Sequence, residues 1–167
     1  DLFASSRHGS GFIAERYPSA WRQECPTYSL LWPLMVLDFA EWRDDPAWVR
    51  ELLPALRSVF AVHESFLRPD GFLEALPGWP FIDWVKGWNA GCGPGVREGD
   101  SSIVNLHWVL SAQTTAALER THGDPVLADR AERLARQTLD AVIDRYWDET
   151  RGIFLDDSQS GETSEHA

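Results

Sequence analysis

A pair of unlike helical segments occurs twice in this chain, and this repeat constrains the fold more than any other feature. Residues 26–37 carry no charged side chain, and their apolar residues cover every face of a helix rather than one stripe. After Asp45-Pro46, a typical cap and first helical position, an amphipathic segment covers 46–67. The sequence therefore predicts an inner helix that is buried all round, followed by an outer helix that faces water on one side.

The same pair recurs at an offset of about 80 residues. Residues 101–118 again lack charge, and Asp124-Pro125 opens a second amphipathic helix that runs to about Tyr146. The turns from inner to outer helices are tight, whereas the connections from outer to inner helices are long, so the long loops collect at one end. Long loops on a rigid scaffold are where binding sites are usually built.

Two layers of helices satisfy this pattern, so we predict an all-α fold that forms part of an (α/α)6 toroid, with about two helical hairpins and the start of a third. A helical solenoid or an ordinary bundle is the alternative, because two hairpins do not establish that a ring closes. In this interpretation residues 1–167 are a fragment of a single toroid domain. Its segments are an irregular connection (1–24), a first hairpin (26–67), a Trp-rich loop (68–100), a second hairpin (101–147) and a loop with the first turn of the next inner helix (148–167).

Composition excludes several classes of function. The chain has 26 acidic and 15 basic side chains, a formal charge of −11, and no stretch gathers Lys or Arg into a patch that would neutralise phosphates. No apolar run approaches the roughly 20 residues that cross a bilayer. Nucleic acid and membranes are therefore not expected partners.

Cys25 and Cys92 lack Cys or His neighbours at metal-ligand spacing, so we expect two free thiols, no metal and no cofactor.

The chain has nine tryptophans, an excess that needs a reason. Trp79, Trp84 and Trp88 fall in the Trp-rich loop together with the acidic residues Glu74 and Asp83. The face of a Trp ring covers the apolar C–H side of a sugar, and a carboxylate accepts hydrogen bonds from its hydroxyls. A carboxylate between apolar neighbours needs either a cleft or a partner. The loop predicts a sugar-binding site, with plain packing of the loop as the alternative.

Other candidates flank the same end of the predicted scaffold. Tyr28 starts the first inner helix, and Glu165 and His166 would start the third, although capping and the helix dipole also favour a first-turn Glu. His63 and His107 lie inside helices and are expected to be ordinary packed or surface histidines. The principal substrate-binding candidates are Tyr28, Trp79, Asp83 and Trp84, and the secondary ones are Trp88, Glu74, Glu165 and His166. Three residues before the first inner helix would border the same cleft: Arg16, Tyr17 and Glu24.

Four motifs follow one another along the chain: Arg16-Tyr17-Pro18-Ser19, Cys25-Pro26-Thr27-Tyr28-Ser29-Leu30-Leu31-Trp32, Trp79-Pro80-Phe81-Ile82-Asp83-Trp84 and Ser164-Glu165-His166-Ala167. In order and spacing they resemble the six-hairpin catalytic domain of bacterial α-L-rhamnosidases, glycoside hydrolase family 78. The resemblance covers nearly the whole chain.

This resemblance implies an enzyme that removes terminal α-L-rhamnose from glycans by inverting hydrolysis, with a rhamnosyl glycoside as its partner. One protonated carboxyl would donate to the leaving oxygen, and a carboxylate about 6.5–9.5 Å away would activate water. In the family, the acid precedes the matched region and the base lies on a later hairpin. The resemblance therefore implies that residues 1–167 supply sugar contacts without the acid/base pair, and no catalytic residue is assigned here.

Other interpretations are a non-catalytic helical-repeat or carbohydrate-binding protein, and another six-hairpin enzyme such as a glucoamylase-like hydrolase or a uronyl hydrolase. A ring that is cut would expose apolar faces on its inner helices, which predicts self-association into a homo-oligomer. The sequence does not decide between the bacterial cytoplasm and a secreted or periplasmic location.

Overall fold

Five α-helices and one two-stranded hairpin form the fold in the computed structural model, which describes residues 2–7 and 9–167. The helices are α1 (Leu2–Ser6), α2 (Pro26–Trp42), α3 (Pro46–Glu64), α4 (Ser102–His122) and α5 (Pro125–Tyr146), and the strands are β1 (Trp147–Asp148) and β2 (Ile153–Phe154). This mostly helical structure confirms the all-α class. The segment 1–24, expected to be irregular throughout, contains the short helix α1.

Capping determines where three of the four long helices begin. The side chain of Asp45 accepts the Trp48 backbone N–H (3.0 Å) at the start of α3, and Asp124 accepts from Val126 (2.8 Å) at the start of α5. The Ser101 hydroxyl makes the same contact at α4. Each such bond satisfies a backbone N–H that has no partner inside its helix. The helices therefore start at the positions that the sequence pattern indicates.

The helices lie in two layers. Helices α2 and α4 pack side by side, α3 packs against both of them, and α5 packs along α4. Trp32 of α2 and Trp108 of α4 are fully buried, and each lies in its own hydrophobic cluster. α2 and α4 thus form the inner layer, and the amphipathic helices α3 and α5 form the outer one, as the alternating charge pattern predicts.

The repeat continues past the outer helices into the segments Asp70-Gly71-Phe72-Leu73 and Arg151-Gly152-Ile153-Phe154-Leu155, as the sequence indicates. The antiparallel pairing of each segment was not predicted. Leu67 pairs with Leu73 after α3, and β1 pairs with β2 after α5. Gly71 (φ +89°) and Gly152 (φ +66°) hold the left-handed conformation within these two turns, which glycine adopts without steric cost. Pairings of two residues are too short for an alternating pattern to show.

All-round burial of the inner helices is only partly correct. α2 buries Trp32 and Val36, but Met35 and Trp42 are exposed, and so is Leu110 of α4. Self-association through such exposed apolar side chains stays a prediction. Within the same residues, no helix has both the length and the apolar character needed to cross a membrane.

The C-terminal segment is fastened to the start of α4. The Asp156 carbonyl accepts the Ser102 backbone N–H (3.0 Å), and the Asp156 carboxylate accepts the backbone N–H and hydroxyl of Ser164 (3.0 and 2.9 Å). Residues 165–166, expected to open a third inner helix, form a turn. The Ser164 hydroxyl accepts the His166 backbone N–H there (3.3 Å), a contact of the kind that capping serines make. This attachment places His166 near the Trp-rich loop.

Both cysteines, Cys25 and Cys92, are free and buried. Burial raises the pKa of each thiol, and a protonated thiol is a poor nucleophile and metal ligand. They therefore serve as small apolar core residues.

An ion pair with a buried carboxylate joins the two layers at the short-turn end. Arg57 of α3 donates two hydrogen bonds to the Glu119 carboxylate of α4 (2.6 and 2.8 Å), and the Asp124 backbone N–H donates a third (2.9 Å). Glu119 is buried, while Arg57 remains 40% exposed. One carboxylate thus ties α3, α4 and the first turn before α5 together.

We predict that Glu119→Ala lowers the free energy of unfolding by about 2 kcal/mol, because it leaves the Arg57 guanidinium and the Asp124 backbone N–H without their acceptor. The measurement is urea denaturation followed by circular dichroism. Glu132→Ala is the control, since the pairs of Glu132 with Arg120 and Arg136 are exposed and should contribute about 0.5 kcal/mol or less. Equal losses in the two variants would contradict the role of Glu119.

Candidate functional site

The Trp-rich loop (68–100) is fastened to the first turns of both inner helices. The Thr27 hydroxyl of α2 donates to the Phe81 carbonyl, and the Asn105 side chain of α4 accepts the Leu73 backbone N–H (2.8 Å). Thr27 and Asn105 are buried, so these hydrogen bonds are shielded from competing water. The loop is thereby held over the end of the scaffold where α2 and α4 begin.

An aromatic cluster forms at this end, with Phe81 at its centre. The Phe81 ring lies 4.8 Å from Trp79, 5.0 Å from Trp84 and 5.9 Å from Tyr28, measured between ring centroids. Trp79 and Trp84 are themselves 6.1 Å apart, and the Trp79 indole N–H donates to the Ala90 carbonyl (2.8 Å). Three of the four principal candidates therefore share one cluster. Phe81 was not among the candidates, because an apolar loop residue gives no chemical signal of its own.

Glycine is required where the loop folds back on this cluster. Gly91 has a φ of +72°, and a Cβ there would lie 2.2 Å from the Phe81 ring. Its carbonyl accepts the backbone N–H groups of Ile82 (2.9 Å) and Asp83 (3.2 Å). The absence of a side chain at Gly91 thus lets the backbone approach closely enough to position Asp83.

Asp83 is an exposed carboxylate held at both oxygens. Oδ1 accepts the Trp84 backbone N–H (2.7 Å), and Oδ2 lies 3.1 Å from Nε2 of His166, which donates to it. The Trp84 N–H, and after it the His166 contact, lower the pKa of Asp83. The group is therefore an anionic hydrogen-bond acceptor at neutral pH, next to the Trp84 ring, which is 73% exposed.

His166 connects this carboxylate to two further side chains. Its ring lies 5.3 Å from Trp88, and its charge, after the larger effect of burial, lowers the pKa of His107 in α4. Among the described residues, Nδ1 of His107 and Nδ1 of His166 are buried without a hydrogen-bond partner. A second group beside the aromatic cluster thus contains Asp83, Trp88 and His166, and His107 is near enough for the charge of His166 to affect its pKa.

His107 was expected to be an ordinary packed or surface histidine; it lies beside His166 and has an unpaired Nδ1. The available signal was its place in the second turn of α4, within the uncharged segment 101–118 and at the end where the long loops collect. A side chain with an unpaired ring nitrogen at this position has capacity to hydrogen-bond a hydroxyl or a water molecule.

Two secondary candidates lie outside these groups of contacts. Glu74 follows the short pairing of Leu67 with Leu73, where its backbone N–H donates to the Phe66 carbonyl (2.8 Å). Glu165 borders a separate cleft of about 440 Å³ that the β1–β2 hairpin lines with Trp147 and Phe154. Both remain predictions as substrate-binding residues.

Comparison with solved structures identifies the fold. The chain matches a GH78 family rhamnosidase of Bacillus sp. GL1 with a TM-score of 0.77 and 21% identity, over 98% of this chain and 17% of that one. A second match is a rhamnosidase from Klebsiella oxytoca, in a structure with rhamnose bound. Its TM-score is 0.78 and its identity 20%, over 99% of this chain and 31% of that one. No family model and no curated protein matches.

These two structures confirm, at the level of fold, the resemblance that the motifs indicate. The partial helical toroid of this chain is the fold of one part of a GH78 rhamnosidase. The chain spans less than a third of the length of either structure.

We predict that His166→Ala raises the pKa of His107 and the pKa of Asp83. His107 loses a like charge, and Asp83 loses a donor to its carboxylate. NMR titration of the two side chains measures both values. His122→Ala, at the opposite end of α4, is the control that should leave both values unchanged. If the two pKa values did not move in the His166→Ala variant, His166 would not couple these groups.

Proposed function

We propose that this chain is a segment of the catalytic domain of a glycoside hydrolase that removes terminal α-L-rhamnose by inverting hydrolysis. The observation that carries the proposal is the exposed Trp84 ring beside the Asp83 carboxylate, on a fold shared with two rhamnosidases. An aromatic face next to a fixed hydrogen-bond acceptor is the pairing that a sugar ring requires, since it has an apolar C–H face and a rim of hydroxyls.

In this proposal each residue of the site has a separate task. The exposed face of Trp84 covers the C–H side of the sugar, and Trp79 and Tyr28 widen the apolar platform. Asp83 accepts hydrogen bonds from sugar hydroxyls, and its negative charge strengthens them. His166 is a positioning residue that orients Asp83, and Phe81 supports the three aromatic rings from below.

Hydrolysis itself needs a pair of carboxyl groups that this proposal does not place within residues 1–167. Inversion requires an acid and a base about 6.5–9.5 Å apart, with room for a water molecule between the base and the sugar. The motif resemblance puts the acid before the matched region and the base on a later hairpin. We therefore propose that the chain holds the sugar while other parts of a longer protein supply both groups.

The first test is hydrolysis of an aryl α-L-rhamnoside. We expect the longer protein that contains these residues to release the aryl alcohol with inversion at the anomeric carbon, and residues 1–167 alone to release none. NMR of the first-formed sugar anomer reports the stereochemistry. Turnover by residues 1–167 alone would show that the acid and base are misplaced. A longer protein that binds rhamnose without turnover, or that prefers other glycosides, would favour the carbohydrate-binding or the other six-hairpin interpretation.

The second test addresses the sugar contacts in residues 1–167 directly. We expect Trp84→Ala to weaken rhamnose binding by about tenfold, because it removes the exposed stacking surface. The binding is measured by NMR titration of the 167-residue chain. Trp42→Ala is a matched control, since Trp42 is 87% exposed and lies at the opposite end of α2 from Tyr28. Equal affinity in wild type and Trp84→Ala would remove Trp84 from the site.

A further inference from the structure

A second cavity, of about 230 Å³, lies against the segment that precedes α2. Its lining combines three arginines, two exposed aromatic rings and three serines, and it contains no acidic residue. The lining residues are Ser5, Ser6, Arg7, Ala14, Arg16, Tyr17, Ser19, Trp21 and Arg22. The three arginines are not adjacent in the sequence, so the sequence alone shows no basic stretch here.

The charge of this cavity is opposite to that of the protein as a whole. The chain carries a formal charge of −11, and several arginines on its helices lie in ion pairs, among them Arg57 and Arg130. In the cavity, Arg16 lies 3.2 Å from Glu15. Within residues 2–7 and 9–167, Arg7 and Arg22 have no acidic side chain within 4.0 Å. In the described part of the chain, Arg7 and Arg22 therefore give the cavity positive charge that no carboxylate pairs with.

The chemistry of the lining favours one kind of ligand. Guanidinium groups donate paired hydrogen bonds to the two oxygens of a carboxylate, and they do so to phosphate as well. The Trp21 ring is 77% exposed and Tyr17 is 44% exposed, which adds apolar faces that an inorganic ion would leave unused. A sugar that carries a carboxylate would engage both parts of the lining.

The cavity is attached to the end of the scaffold that holds the candidate sugar site. Ala14 pairs with Glu24, and the Glu15 backbone N–H donates to the Gln23 carbonyl (3.1 Å), so the lining segment ends directly before α2. Burial raises the pKa of Tyr28, and nearby negative charges that include Glu15 and Asp83 add to this rise. Tyr28, in the first turn of α2, lies 5.9 Å from Phe81 of the aromatic cluster, measured between ring centroids.

We propose that this cavity binds the carboxylate of an acidic sugar, with Arg7 and Arg22 as the cationic contacts and Trp21 as the stacking surface. We further place this acidic sugar next to the rhamnose that Trp84 holds, and this part rests on the proposed function. The binding of an acidic sugar to the cavity does not depend on it.

The test compares matched probes on the 167-residue chain by NMR titration: methyl β-D-glucuronide, methyl β-D-glucoside, acetate and inorganic phosphate. We expect the glucuronide to shift the Trp21 indole signal, to bind more tightly than each of the other three, and to lose affinity as salt is added. Binding of the glucoside at equal strength would overturn the role of the carboxylate. Phosphate or acetate binding as tightly as the glucuronide would overturn the role of the sugar ring.

The variants locate the site. Arg7→Gln and Arg22→Gln should each weaken glucuronide binding by about tenfold or more, since each removes a charge-assisted contact. Arg133→Gln, an exposed position on α5, is the control and should change nothing. Unchanged affinity in both Arg7→Gln and Arg22→Gln would overturn the proposal, and a thermal melt of each variant checks that the fold is kept.

Failure of this inference and failure of the proposed function give different results. Trp84→Ala should reduce rhamnose binding and leave glucuronide binding unchanged, whereas Arg22→Gln should do the reverse. If the glucuronide binds as expected but rhamnose does not bind at all, the proposed function fails and the acidic-sugar cavity stands. If rhamnose binds but the glucuronide does not, the opposite holds.

Discussion

The packing of α2 against α4 is the contact on which the rest of the structure depends. Each of these helices contributes a fully buried indole, Trp32 and Trp108, and the Phe60 ring of α3 lies 4.9 Å from Trp108. Burying so large an apolar surface offsets much of the conformational entropy lost by the helices. It also fixes the relative position of the two inner helices, and the candidate site is built on their first turns.

The site is assembled from loops whose order comes from a few polar contacts with that scaffold. Thr27 holds the Phe81 carbonyl, Asn105 holds the Leu73 N–H, and Asp156 holds the start of α4. A long loop costs free energy to order, so these buried contacts and the Phe81 aromatic core must compensate. The outcome is that Asp83 and His166, far apart in the sequence, lie 3.1 Å apart.

The parts of this structure that local patterns determine were predictable, and those that depend on long-range contacts were not. Asp45-Pro46 and Asp124-Pro125 mark helix starts because capping involves residues within one turn. The combination of Trp79, Asp83 and Trp84 was visible because its members are neighbours in the chain. The contact of Asp83 with His166, the unpaired nitrogen of His107 and the gathering of Arg7 and Arg22 all require the folded loops. No periodic pattern in the sequence indicates such contacts.

The two proposed binding surfaces have opposite electrostatic character, and this would orient a ligand that carries a single charge. Asp83 presents a fixed negative charge beside Trp84, so it favours hydroxyl donors and disfavours a carboxylate at that position. The arginine-lined cavity favours the carboxylate and has no need of hydroxyl donors. A saccharide with one neutral and one acidic end would therefore bind in one direction, because reversing it would place its carboxylate beside Asp83 and leave the arginines without an anionic partner.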